Sequence, residues 1–363
     1  MKLEKLMCSL CALALLVSNG YLLGQENAAE VQSAGEAALE KEVPSEEGEL
    51  EKQNTKAAKK AARKKANESA KGKTKFLRLK ERKGEPKTLD TAVVTYTSKK
   101  GEGVSVDLIG AVHVGEGSYY EELNKLFDDY EVLLYELVAP EGATIPRGGP
   151  KESGGFNPVS MLQNGTRSML GLEFQLEKID YTKKHFVRAD MTPSQMADKM
   201  KERGDTAFTI ALDTFSDMMR QQNKLMKNPE AAKEVLGFDP EEVSLSDMLG
   251  NPLKMKRILA NQFAQSGSLD QAMGKSLNQL LIVDRNEAAL IELQKQIAAG
   301  RKKIGIFYGA AHLPDFEEHL VADFGFAKKR QRWVEAWDLT TAKKPELDKS
   351  TELLLNVLKL LEK

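Results

Sequence analysis

Two of the chain's four histidines close the same short pattern. An apolar run from Val106 to Ile109 ends in Gly110-Ala111-Val112-His113, and a second from Ile304 to Tyr308 ends in Gly309-Ala310-Ala311-His312. Glycine at a strand end lets the backbone turn tightly, which sets the histidine over the sheet edge rather than in the core. A single unit of this kind says little, since buried histidines bonded to backbone are common. Two units at strand-to-helix turns predict that neighbouring strands bring His113 and His312 to one point. Two neutral imidazoles there suit a divalent metal.

Glu136 is the natural third member. It is the one charge in Leu133-Leu134-Tyr135-Glu136-Leu137-Val138, at the end of an apolar run. A carboxylate buried there needs a partner or a metal; the alternative is an end-of-strand residue already in water. Arg285 likewise interrupts an apolar helix face in "LLIVDRNEAAL". It either pairs with Glu136 as a structural element or holds a substrate carboxylate or a developing oxyanion. His185 and His319 read as surface or strand-edge residues. No phosphate-binding loop, dinucleotide fingerprint, Gly-x-Ser-x-Gly or His-Glu-x-x-His pattern occurs.

These residues require an α/β scaffold to position them. "TAVVTYT" (91–97) and "VSVDLIGA" (104–111) around "KKGEG" predict a hairpin. Ser118 with Glu121 predicts a capping box opening a helix that buries Leu123 and Phe127. The apolar run 131–138 predicts a strand covered on both faces, completing a βαβ unit. Residues 139–157, rich in proline and glycine, predict a long loop beyond that strand's end. A strand over 185–190 and a helix capped by Thr192 with Pro193 follow. Residues 205–299 read as helical. The last unit repeats the first, with a helix capped by Asp315 and Glu318 and ended at Gly325, then a strand from 328 to 339. The fold class is therefore α/β, a central sheet built from two strand-Gly-x-x-His-helix-strand units with a large helical insertion between them.

The termini are of other material. Residues 1–24 read as a secretion signal, removed or retained as an anchor, which places the protein in a secreted or periplasmic location. Both cysteines, Cys8 and Cys11, lie inside it, so the remaining chain has no thiol ligand or nucleophile. Residues 25–75 form a charged stretch, acidic then basic, that cannot bury enough apolar surface to order itself, and read as a disordered linker. The folded domain spans 76–342, with a helical middle region at about 191–300, and 343–363 reads as an amphipathic C-terminal helix. A net charge of −1 argues against nucleic acid, and nothing after the signal predicts stable membrane insertion.

"GAVHV....SYYEEL" followed by "YEL", then "DRN" in a helix, then "FYGAAHLPDFEEHL....GF" resembles the TraB/GumN/Tiki superfamily, and its GumN-like bacterial branch most. The likeness covers roughly 104–138 and 281–338; the helical middle matches in character only. It implies an EreA/ChaN-like sheet, with His113 and His312 as metal ligands and Glu136 as ligand or general base. It also implies Arg285 as the site cation, with Gly110, Gly309, Ser118 and Tyr308 flanking. The implied cofactor is a divalent ion, manganese or cobalt, with zinc as a further option. The implied activity is metal-dependent hydrolysis of a peptide or protein substrate. The alternative is a non-catalytic module of the same fold that binds a peptide or a haem, with a histidine and Tyr308 as axial ligands. The middle region and the long basic linker depart from the animal branch, so that branch's substrate choice is not carried over.

Overall fold

The computed structural model describes residues 74–99, 103–149, 170–206, 251–265 and 275–341, with scattered helical positions between 208 and 220. The expected signal, nearly all of the linker, the second half of the 139–157 loop, part of the helical middle and the C-terminal helix lie outside the described residues.

The strands are β1 (Leu77–Arg82), β2 (Glu85–Ser98), β3 (Ser105–Ala111), β4 (Val114–Gly115), β5 (Val132–Tyr135), β6 (Glu173–Phe174), β7 (Phe186–Arg188), β8 (Lys303–Gly309) and β9 (Phe326–Asp338). Seven of them form one sheet in the order β1-β2-β3-β8-β5-β7, with β9 along the other edge of β2. The strands β3, β8, β5 and β7 are mutually parallel, while β2 runs against β1, β3 and β9. The protein is thus mixed α/β, and its central block is parallel. The expected hairpin is present as β2 and β3, paired from Val93↔Ile109 to Thr97↔Ser105.

The alternation of side chains across the pleat divides the core in two. Ile109, Leu133 and Phe307 point to one face, where they meet Tyr119, Tyr120, Leu123 and Phe127 of helix α1 (Gly117–Phe127). Leu108, Leu134 and Ile306 point to the other, against helices α4 (Asp284–Ala298) and α5 (Leu313–Ala322). Both faces are covered, as a continuous apolar strand demands. Gly305 marks the tightest point, because a Cβ there would stand 2.5 Å from Leu133 Cδ1. Between β7 and β8 the described residues include helices α2 (Pro193–Arg203) and α3 (Pro252–Gln265). A five-residue π-helical stretch (Gln279–Val283) then leads directly into α4. None of the described helices is long and apolar enough to cross a membrane.

Two expected helix caps are corrected. Helix α1 starts at Gly117 with Glu116 as N-cap and no side-chain cap, so Ser118 lies inside the first turn. The reason is remote in sequence: Glu116 is held by Lys256 Nζ of α3 at 2.6 Å, and its N–H donates to Ala336 O at 2.9 Å. Helix α5 starts at Leu313 behind the short 3₁₀ turn Ala310–His312, so Asp315 falls in its first turn rather than capping it. The cap of α2 is as expected. Thr192 and Gln195 form a full capping box with Pro193 in the first turn, and Gly204 closes the helix at φ 72°.

Candidate functional site

The sheet register brings the two Gly-x-x-His turns side by side. Strand β3 pairs with β8 through Gly110↔Tyr308 and Ala111↔Gly309. After β3 the chain passes to α1 on one face, and after β8 to α5 on the other. Connections that diverge to opposite faces open a crevice at the carboxyl ends of parallel strands, where ligands of such sheets bind. Glu136 reaches the same strand ends from the next strand, because its N–H continues the β5–β8 ladder to Phe307 O at 3.1 Å.

All the central side chains are buried. Glu136 Oε1 stands 3.4 Å from His312 Nε2, and Glu136 Oε2 accepts the Gly309 N–H at 2.7 Å. A Cβ on Gly309 would lie 3.2 Å from Glu136 Oε2 and 3.7 Å from His113 Nε2, so His113, Glu136 and Gly309 crowd one spot. This corrects the reason for the glycine. Neither Gly110 nor Gly309 has a positive φ. Gly309 is favoured by close approach of the carboxylate, and Gly110 by packing, since its Cβ would stand 3.3 Å from both Ala92 O and Leu313 Cδ1.

Each histidine is oriented through Nδ1 by a carboxamide. Asn286 gives its amide hydrogens to His312 O (3.0 Å) and Asp315 Oδ2 (2.9 Å), both acceptors. Its Oδ1 therefore faces His312 Nδ1 at 2.7 Å, and Nδ1–H must be the donor. For His113 the partner is Gln175, whose Nε2 donates to Tyr181 OH and whose Oε1 receives Nδ1–H at 3.3 Å. The small β4–β6 ladder sets this up. Val114↔Phe174 pairing places Gln175 opposite His113, with Gln175 N–H donating to His113 O at 2.9 Å. With Nδ1–H given to Asn286, His312 turns Nε2 towards Glu136, a nitrogen that is a lone pair in the neutral ring and an N–H donor in the imidazolium.

Arg285 lies against the same carboxylate. Its Nη2 donates to Glu136 Oε1 at 2.8 Å and to Asp190 Oδ2 at 2.6 Å, while Nε donates to Asp190 Oδ1 at 3.0 Å. Nη1 reaches Leu281 O in the π-helical stretch at 3.4 Å. Burial alone would raise the Glu136 carboxyl, yet Arg285 and the two imidazoles hold it well below the usual carboxylate range. Burial pushes His113 down, towards the neutral ring. Two carboxylates against one guanidinium leave the cluster with one net negative charge when both imidazoles are neutral.

The other residues named from sequence take different places. Tyr308 packs edge-on against the His312 ring, but its hydroxyl donates to Ala189 O and burial pushes it well above its ordinary range. Service as a haem ligand requires breaking that bond. Ser118 is exposed on the first turn of α1, outside the cluster. His185 Nε2 meets Phe127 O at 2.9 Å, and His319 bonds Asp323 on α5's outer side, in keeping with their reading as edge residues. Asp190, Gln175 and Asn286 join the cluster in the structure, none of them named as a site residue from the sequence. A cleft of about 430 Å³, lined by Pro140, Glu141, Thr192, Pro193, Ser194 and Gln195, opens between the loops that follow β5 and β7.

Among the described residues no group of three or more His, Cys, Asp or Glu side chains is arranged, as it stands, to hold a metal ion. The donor chemistry nevertheless fits one. Ligands about 2.1 Å from a tetrahedral ion are roughly 3.4 Å apart, which is the spacing of His312 Nε2 and Glu136 Oε1. Histidines fixed through Nδ1 by an outer partner are the usual metal-binding arrangement. His113 Nε2 lies beside the same Gly309. No family model, curated protein or solved structure matches the chain.

Proposed function

We propose that the protein is a metal-dependent hydrolase acting on peptides, with its ion held by His113, His312 and Glu136, as the resemblance to the TraB/GumN/Tiki superfamily implies. One observation carries the reading. His312 Nε2 faces a Glu136 carboxylate oxygen at 3.4 Å, inside a buried cluster where two carboxylates meet one guanidinium. A neutral ring there needs a cation between the two atoms, which a divalent ion would supply; a protonated ring supplies its own proton.

A bound ion would polarise a scissile carbonyl and make its water acidic enough to attack near neutral pH. The chain supplies the rest. Glu136 is the group in reach to take the proton of the attacking water and return it to the leaving amine. Gly309 N–H and Arg285 fix that carboxylate through separate oxygens. Four hydrogen bonds already occupy Arg285. Its task in this arrangement is therefore to hold Glu136 rather than to reach an oxyanion. Asn286 and Gln175 keep both imidazoles turned with Nε2 inwards. The peptide class rests on the family resemblance.

The test is cleavage of a peptide library by the purified protein, with and without added Mn²⁺, Co²⁺ or Zn²⁺, beside His312→Ala and Glu136→Gln. Ion-dependent cleavage lost in both variants is the expected result. Cleavage that survives both substitutions overturns the mechanism.

A further inference from the structure

Asp190 follows β7 by two residues, and its side chain has no exposed area. Its two oxygens take Arg285 through Nε at 3.0 Å and Nη2 at 2.6 Å, a paired grip on the flat guanidinium. Oδ1 also accepts the Met191 N–H at 2.8 Å, which fixes the carboxylate to the backbone. Arg285 is thereby left with one hydrogen of Nη2 for Glu136 Oε1, at 2.8 Å.

We propose that Asp190 is a positioning residue that divides Arg285, so that the guanidinium gives Glu136 one bond, at Oε1, beside the Gly309 N–H on Oε2, and leaves it open to a cation beside His312. This rests on the metal reading above. Without Asp190 the guanidinium fork is free to turn onto Glu136 and grip both its oxygens, the geometry that arginine and carboxylate prefer. Glu136 would then be a neutralised, occupied partner instead of a ligand. Charge says the same. With neutral imidazoles the wild-type cluster carries one net negative charge, Asp190→Asn leaves none, and Asp190→Asn with Arg285→Gln restores one through Glu136 alone.

The experiment is calorimetric titration of the full chain with Co²⁺ or Zn²⁺ alone, on wild type, Asp190→Asn and the double variant Asp190→Asn/Arg285→Gln. Loss of an outer partner typically weakens a metal site about 10–100-fold, and that loss is expected for Asp190→Asn. The double variant should regain most of it, because Glu136 is released. If Asp190 serves structure only, the double variant binds no better than the single one, and the proposal is overturned. An Asp190→Asn affinity equal to wild type overturns it as well. Should the single variant fail to fold, the double one removes both charges together and is compared directly with wild type. Near-wild-type affinity then supports the proposal and loss of binding sinks it.

A second readout separates this proposal from the metal reading. The Arg285 Nε–H resonance should exchange slowly in wild type and quickly in Asp190→Asn, with no metal present. If wild type binds neither ion, the metal reading fails. A resonance that Asp190→Asn exposes still supports the division of Arg285, and one it leaves unchanged overturns that too.

Discussion

Replacing Arg285 by Met removes the one cation between two buried carboxylates. Glu136 and Asp190 have side-chain exposures of 4% and 0%, and each loses an ionic hydrogen bond shorter than 3 Å. Removing one partner of a buried ion pair typically costs about 3–5 kcal/mol, because the remaining charge is left uncompensated. Here two charges of the same sign are left, which places the expected loss near the upper end, about 5 kcal/mol. A domain with ordinary stability of roughly 5–15 kcal/mol would be left with about 0–10 kcal/mol and a much lower urea midpoint. The pH response supplies the sharper check. In wild type the Glu136 carboxyl is held well below its usual range, so its contribution is present above the unfolded value and lost as pH falls through the folded one. In the variant the guanidinium no longer offsets burial at Glu136, so protonation of that carboxyl relieves part of the penalty. The stability gap between variant and wild type should therefore narrow as pH falls from about 7.5 to about 5. Urea unfolding followed by circular dichroism at both pH values measures it. A gap below roughly 1 kcal/mol, within the range of an exposed pair, or one that does not change with pH, refutes the buried-network account.

Other expectations follow from single contacts. Gly305→Ala puts a methyl 2.5 Å from Leu133 Cδ1 and 3.1 Å from Tyr130, so overpacking should cost about 1–3 kcal/mol in urea unfolding without touching the site. His113 is held neutral by burial, whereas the unfolded chain takes up a proton near pH 6.5. Metal-free protein should therefore lose stability as pH drops below that value, at up to about 1.4 kcal/mol per pH unit for one proton. His113→Gln should flatten that slope, and an unchanged slope assigns the proton elsewhere. Asn286→Leu removes the acceptor of His312 Nδ1–H and should weaken Co²⁺ binding about 10–100-fold, read by titration; unchanged affinity would show that the ring needs no such clamp.

Much of the site was legible because its residues break local patterns. Glycine followed by histidine at two strand ends, and a lone carboxylate in an apolar run, are departures that burial makes costly, and β3, β8 and β5 bring all three together. Arg285 was legible on the same ground, and the structure joins it to Glu136. Asp190 carried a fainter signal, a carboxylate ending the short strand of "HFVRAD", masked by the polar residues around it. Gln175 had none, since a neutral side chain in a two-residue ladder announces nothing until the β4–β6 pairing sets it opposite His113. The α1 cap was misplaced because Glu116 is claimed by Lys256, 140 residues away, and local motifs cannot see such a partner. The pairing of β9 with β2 over most of its length, and the strand β1, depend on the same kind of distant contact. The strand β1 is charged, and its end is exposed.

Metal stoichiometry of the purified chain tests the central claim most directly. After equilibration with Mn²⁺, Co²⁺ or Zn²⁺ and removal of free ion, elemental analysis should find about one ion per chain, as a site of three protein ligands predicts. His113→Ala, His312→Ala and Glu136→Gln should each lose it while keeping the wild-type circular dichroism spectrum. Wild-type protein that retains no ion, or a His312→Ala variant that retains as much as wild type, would contradict the account.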